Sequence, residues 1–245
     1  MANTNLDLDE VNHKLRLVTA EHVVQWAAEI FGDGLMMTSS FGVQSAVMLH
    51  LVTRVVPDIP VIWIDTGFNF PETYTFGEDL TKRLGLNLKV YQSDLSPARM
   101  VANHGRLWEQ GKQGLDRYDV IRKIEPRDRA FQDLGVKSWF SGLRRDQTQF
   151  RKMLRKVEYF GSVVKIHPIL DWTSEDVDAY LKQHDLPYHP LREKGYTSIG
   201  DWHSTKPSEG GSDSRDGRFQ GLKQECGLHL PQSEAESASR DSSGL

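Results

Sequence analysis

Apolar positions along the chain recur with two distinct periods. In "AEHVVQWAAEIF" (20–31) they fall three and four residues apart, as on one face of a helix, and Gly32 and Gly34 end the run. "LMMT" (35–38) is short, unbroken and apolar, and reads as a buried strand. Helical spacing returns in "VQSAVMLHLVTRV" (43–55) and stops before Pro57 and Pro60. "VIWID" (61–65) is a second continuous, β-branched run. Pro71 suits the first turn of a helix that continues through "ETYTFGEDLTKRLG". "LKVYQ" (88–92), "SWFSG" (138–142) and most of "SVVKIHPIL" (162–170) read as further strands, and "PRDRAFQDLG" (126–135) as a helix between them. Thr173 followed by Asp176 predicts a helix start ahead of "VDAYLKQH".

Strands alternating with helices predict an α/β fold, a mostly parallel sheet with helices on both faces. Ligands of such sheets bind outside the carboxyl ends of the strands, where the strand order reverses. The residues just after 38, 65 and 142 are therefore the places to look for chemistry.

Composition narrows the class. The chain is 38% hydrophobic and 26% charged, as expected of a soluble globular protein. No apolar run approaches the roughly 18–20 residues of a membrane span. The N-terminus lacks the basic-then-apolar pattern of a secretory signal. The one cysteine, Cys226, cannot pair within the chain or build a thiolate-rich metal site, and it implies a reducing, cytoplasmic setting. A net charge of −4 argues against nucleic acid as a partner of the whole chain. Residues 122–156 differ: eleven Lys and Arg stand against four acids, a local balance of +7. That is either a solvated basic face or a pocket for a multiply charged anion.

Three motifs follow the predicted strand ends. "TSSFGVQSAV" places Ser39, Ser40, Gly42, Gln44 and Ser45 ahead of a helix, whose N-terminal N–H groups favour anions. "IDTGFNFPET" places Asp65, Thr66 and Gly67 in a turn, which is either a simple closed turn or a contact for a nucleoside. "GLRRDQTQFR" supplies Arg144, Arg145 and Arg151, whose planar forks suit phosphate and sulfate oxygens. Near the chain end, "GLKQECGLH" holds Cys226 among polar neighbours, an unusual setting for a buried thiol.

With "KIEP" (123–126), these stretches resemble the assimilatory sulfonucleotide reductases from about residue 35 to residue 229. The resemblance implies a Rossmann-like, adenine nucleotide α-hydrolase-type fold. It implies reduction of a sulfonucleotide to sulfite, in sulfate assimilation toward cysteine biosynthesis. Thioredoxin, or glutaredoxin in some members, would supply the electrons, and members are usually homodimers. It further implies Cys226 as nucleophile, with His229, Lys123 and Arg218 as its catalytic partners and Arg215 near the substrate. Ser39 to Ser45 would hold the phosphosulfate, Asp65 to Gly67 would lie near adenosine, and Arg144, Arg145 and Arg151 would meet phosphates. Iron–sulfur members of the family carry four cysteines where this chain has Tyr118, Asp119, Asp201 and Ser204. Without those thiolates no cluster is expected. The likeness is then to the branch that uses 3′-phosphoadenosine 5′-phosphosulfate (PAPS) without metal or cofactor. The related ATP pyrophosphatases have a glycine and an acid in the first loop, where Phe41 and Gln44 stand here. On this reading residues 1–205 form a nucleotide-binding domain with an N-terminal helical segment. Residues 206–229 are a mobile catalytic segment, and 230–245 a disordered tail.

Overall fold

Helices α1 (Leu8–Lys14) and α2 (Ala20–Phe31) lead into strand β1 (Leu35–Thr38). There follow α3 (Ser45–Val55), β2 (Pro60–Ile64), α4 (Pro71–Leu84), β3 (Asn87–Tyr91), α5 (Pro97–His104), α6 (Gly111–Asp119) and α7 (Glu125–Asp133). The chain continues through β4 (Ser138–Phe140), β5 (Val157–Phe160), β6 (Val163–Ile166) and α8 (Ser174–Gln183). The computed structural model describes residues 6–208, 217–223, 225 and 227–229.

The six strands form one sheet in the order β3-β2-β1-β4-β6-β5, parallel except for β5 against β6. The alternation of side chains along β1 sorts its residues to two cores. Leu35 and Met37 join the large cluster under α2, α3 and α8, while Met36 meets Ala130 of α7 and Trp139 on the other face. Val61 and Trp63 of β2 follow the first face, Ile62 and Ile64 the second. Helices thus cover both faces, as expected.

Local signals explain several boundaries. Pro71 occupies the first turn of α4, and Gly85 ends it in the left-handed region at φ 61°. Thr173 and Asp176 form a reciprocal capping box at the start of α8. Between α6 and α7 the backbone widens to a π-helical stretch, Val120–Ile124. Pro126 has no N–H to offer the carbonyl four residues back, and the wider turn accommodates its ring. Helices α5 and α6 and strand β5 are additions to the sequence reading. Strand β5 forms a tight hairpin with β6 through Gly161, at φ 61°.

Candidate active site

Strands β2 and β3 extend the sheet on one side of β1, and β4 lies on the other. At this reversal, outside the carboxyl ends of β1 and β4, a cavity of about 220 Å³ opens. Ser39, Ser40, Gly42, Gln44 and Ser45 all line it. Ser39 N–H donates to the Ile62 carbonyl at 3.0 Å, and Phe41 N–H donates to Ser39 Oγ at 3.2 Å. Phe41 sits at φ +49° with its ring fully buried, 4.7 Å from the Trp63 centroid. Left-handed backbone costs a non-glycine residue about 1–3 kcal/mol. Burial of the ring offsets this, so the sharp turn into α3 is fixed by packing. Gly42 has room for a side chain: an added Cβ would stand 3.7 Å from Ser40 Oγ and 3.8 Å from the Ile199 carbonyl. The protein alone therefore does not require glycine there. Helix α3 begins beside the cavity without a side-chain cap, leaving the positive end of its dipole there. Ser45 Oγ and Ser141 Oγ are buried at the cavity and have no hydrogen-bond partner among the described residues.

The three arginines diverge. Arg144 is buried in the cavity wall, where Nη2 donates to Gln44 Oε1 at 3.1 Å and Nη1 to Asp146 Oδ2 at 3.0 Å. Arg144 has extended backbone, whereas Arg145 opens a 3₁₀ turn (Arg145–Gln147), and its side chain leaves the cavity. It pairs with Asp171 in a separate depression beside Arg16, Arg155 and Lys156. Arg151 also lines the cavity, but its guanidinium is taken by Glu225, with Nε at 2.8 Å from Oε1 and Nη2 at 2.7 Å from Oε2.

Asp65, Thr66 and Gly67 stand at the end of β2 and do not line the cavity. Asp65 Oδ1 accepts from Gly67 N–H at 2.9 Å, Asn69 Nδ2 at 3.1 Å and Tyr74 Oη at 2.8 Å. The Tyr74 hydroxyl is pushed up to about 12 by burial and by this carboxylate. Thr66 Oγ1 donates to Asp201, and Arg122 holds the Thr66 carbonyl. Gly67, at φ 73°, has no room for a Cβ, which would meet Pro97 Cγ at 2.5 Å.

The C-terminal segment packs against this assembly. Thr205 bridges Arg218, and Lys206 N–H donates to the Gly217 carbonyl at 2.8 Å. Phe219 is buried with Phe68, Trp108 and Tyr118. Arg218 reaches Ser198 Oγ at 3.5 Å, and Gly200 makes room for it, since a Cβ there would lie 2.2 Å from Nη2. Ser198 and Leu228 both line the cavity. Cys226, Arg215 and the side chain of His229 lie outside the described residues.

Residues 34–207 match the family model for the phosphoadenosine phosphosulfate reductase domain. The chain belongs to the phosphoadenosine phosphosulfate reductase family. As a member it is an oxidoreductase of sulfate assimilation. A phosphoadenosine 5′-phosphosulfate reductase of Synechocystis sp. is 56% identical over 244 residues, 99% of this chain and 98% of the relative. The crystal structure of a phosphoadenylyl-sulfate reductase from Candida auris, a phosphate complex, superposes with a TM-score of 0.73 at 31% identity, covering 84% of this chain and 99% of that one. An FMN adenylyltransferase from Candida glabrata shares the fold, with a TM-score of 0.58 at 13% identity over 94% of this chain and 86% of its own.

In this member of the reductase family, positions 118, 119, 201 and 204 are gathered in the interior as Tyr118, Asp119, Asp201 and Ser204, all buried. Lys123 Nζ lies between the two carboxylates, 3.0 Å from Asp119 Oδ1 and 2.9 Å from Asp201 Oδ2. Burial is the largest single influence and pushes both carboxyls up, but Lys123 together with Lys223 at Asp119, and with His203 and Thr66 at Asp201, outweighs it and holds them below the usual carboxylate range. Burial raises the Tyr118 hydroxyl well above its ordinary value, and the Asp201 charge adds to this. Lys123 is thus part of a buried ion-pair network and does not line the cavity. Among the described residues no three His, Cys, Asp or Glu side chains are grouped to hold a metal ion. No helix of the described residues is long and apolar enough to cross a membrane.

Arg127, Ser141, Thr197 and Ser198 line the cavity and were not singled out by sequence. Arg127 sits in the basic 122–156 stretch, directly after "KIEP", which was the available signal. Thr197 and Ser198 reach the cavity from a loop remote in sequence.

Proposed function

We propose that the chain reduces PAPS to sulfite and adenosine 3′,5′-bisphosphate, with reduced thioredoxin as electron donor and glutaredoxin as the alternative. One observation carries this reading: Leu228, two residues beyond the only cysteine in the chain, lines the same cavity as the serine loop and Arg144. Anion-binding groups and the segment that bears the thiol thus meet at the strand-order reversal.

Ser39, Ser40, Gly42, Gln44 and Ser45, with the α3 N-terminus, hold the phosphosulfate, and Arg144 meets phosphate oxygens. Asp65, Thr66 and Gly67 shape the neighbouring loop near adenosine. The Cys226 thiolate attacks the sulfur of the sulfo group. An S–S bond forms, the S–O bond to phosphate breaks, and adenosine 3′,5′-bisphosphate leaves with the electron pair. The product on the enzyme is Cys226–S–SO₃⁻. A thioredoxin thiolate then attacks the Cys226 sulfur, and sulfite leaves with the bonding pair. The second thioredoxin thiol resolves the mixed disulfide, returning Cys226 as a thiol and thioredoxin as its disulfide. The second thiol comes from the partner, so a single cysteine suffices, and a reducing cytoplasm keeps it available. His229, Arg218 and Arg215 are the candidates to stabilise the thiolate and the sulfo oxygens. The active form is a homodimer.

Sulfite release from PAPS with reduced thioredoxin tests the reading. Turnover is expected with PAPS and none with Cys226→Ser. Wild-type turnover by Cys226→Ser overturns the mechanism, and a clear preference for adenosine phosphosulfate overturns the substrate.

A further inference from the structure

Glu225 and Gly227, the sequence neighbours of Cys226, are each held by a buried side chain from a different part of the body. Glu225 is 5% exposed and accepts both ends of the Arg151 fork, at 2.8 and 2.7 Å, while Thr148 Oγ1 donates to the same carboxylate at 3.2 Å. Arg151 is itself 3% exposed and also holds Gln147, which lines the cavity. On the other side, Gly227 N–H donates to Asp119 Oδ2 at 3.1 Å. Lys223 reaches that same oxygen, so Asp119 gathers the chain on both sides of position 226. Gly227 lies so close to the body that a Cβ would stand 2.9 Å from Ile124 Cδ1 and 3.2 Å from Asp119 Cβ.

We infer that Arg151 and Asp119 are positioning residues for the reaction at Cys226, Arg151 through the Glu225 carboxylate and Asp119 through the Gly227 amide. The inference rests on the reading of Cys226 as the attacking thiol. A bidentate arginine–carboxylate pair fixes orientation as well as distance. Transfer to a thiolate needs reacting atoms within about 3–3.5 Å, and a displacement of about 1 Å costs on the order of 100-fold in rate. Arg151 has a second effect. A bare carboxylate one residue from a thiol disfavours thiolate formation, and pairing neutralises that charge. Arg151 therefore serves the cysteine segment rather than the substrate in this conformation.

The test compares wild type with Glu225→Gln, Asp119→Asn, Arg151→Gln and the double variant Arg151→Gln/Glu225→Gln. Three quantities are measured on the full chain: binding of adenosine 3′,5′-bisphosphate, single-turnover sulfo transfer from PAPS to the protein, and the thermal transition. The expected result is a fall in transfer rate of tenfold or more, with nucleotide affinity within about twofold of wild type. The double variant is expected to lose no more than the worse of its single variants, as for two residues acting through one contact. Transfer at the wild-type rate in Glu225→Gln and Asp119→Asn overturns the inference. So does a loss of nucleotide affinity equal to the loss of rate, or additive losses in the double variant. Should Asp119→Asn not fold, the Arg151–Glu225 cycle decides by the same criteria. Wild-type turnover in Cys226→Ser would instead overturn the reading of the thiol, so the two failures are distinct.

Discussion

Lys123 Nζ lies 2.9 Å from Asp201 Oδ2, with both side chains almost wholly removed from solvent. Its second contact, to Asp119, makes one cation the partner of two interior carboxylates. Lys123→Met would leave Asp201 buried without its ion-pair partner, and Asp119 with Lys223 alone. Breaking a buried pair on one side costs about 3–5 kcal/mol. Guanidinium-chloride unfolding of Lys123→Met is expected to show a loss of that order. An unchanged midpoint with lost turnover would assign Lys123 to the reaction alone.

Arg144 and Arg145 are neighbours in sequence with different surroundings. Hydrogen bonds to charged groups contribute about 1.5–3 kcal/mol. Arg144→Ala is therefore expected to weaken adenosine 3′,5′-bisphosphate binding about 10- to 100-fold by calorimetric titration. Arg145→Ala is expected to stay within about twofold. The reverse ranking would place the anion in the depression beside Asp171.

Buried His189 and half-buried His203 contribute to a pH dependence of stability, alongside His50 and His167, which burial also lowers. Burial lowers His189 and His203 to about 4 from 6.5, against the pull of Glu72 and Asp201 respectively. His203 stacks on Trp108 at 4.1 Å, and its ring nitrogens have no hydrogen-bond partner among the described residues. A folded-state value below the unfolded one means that the unfolded chain binds the proton more tightly. Stability is then complete above about pH 6.5 and falls as the pH drops toward 4, by about 2–3 kcal/mol per pH unit near pH 5 for the two groups together. Asp119 and Asp201, held low in the folded state, add a further loss below their ordinary value of 3.8. Denaturant midpoints at pH 7, 6 and 5 measure the slope. His203→Phe, which keeps the stack, is expected to reduce the slope by about 1 kcal/mol per pH unit near pH 5, and an unchanged slope would contradict the assignment.

Much of the frame was legible because its signals are local. The apolar runs at 35–38 and 61–65, the proline that opens α4 and the Thr173–Asp176 box need only near neighbours in sequence. What was not legible depends on tertiary contact. Helix α6 carries two glycines in "GKQGLDRYD" and gains its stability from Leu115 and Tyr118 packing on Phe68 and Trp108. Strand β5 has four residues and is fixed by its pairing with β6. In the site, the serine loop and Arg144 follow from strand-end logic. The divergence of Arg144 and Arg145 follows from a change of backbone, extended at Arg144 and 3₁₀ from Arg145 on, which the motif does not reveal. Arg151 carries the signature of an anion-binding residue, yet its partner is Glu225, 74 residues away. No spacing rule reaches that far.

The central claim is that Cys226 receives the sulfo group of a nucleotide held at the β1–β4 reversal. Intact mass spectrometry after incubation with PAPS, in the absence of thioredoxin, tests it most directly. The account predicts one added sulfo group, located on Cys226 by peptide mapping and removed as sulfite when reduced thioredoxin is added. Sulfite formation with thioredoxin present, but no adduct on the protein at any time in single turnover, would contradict it.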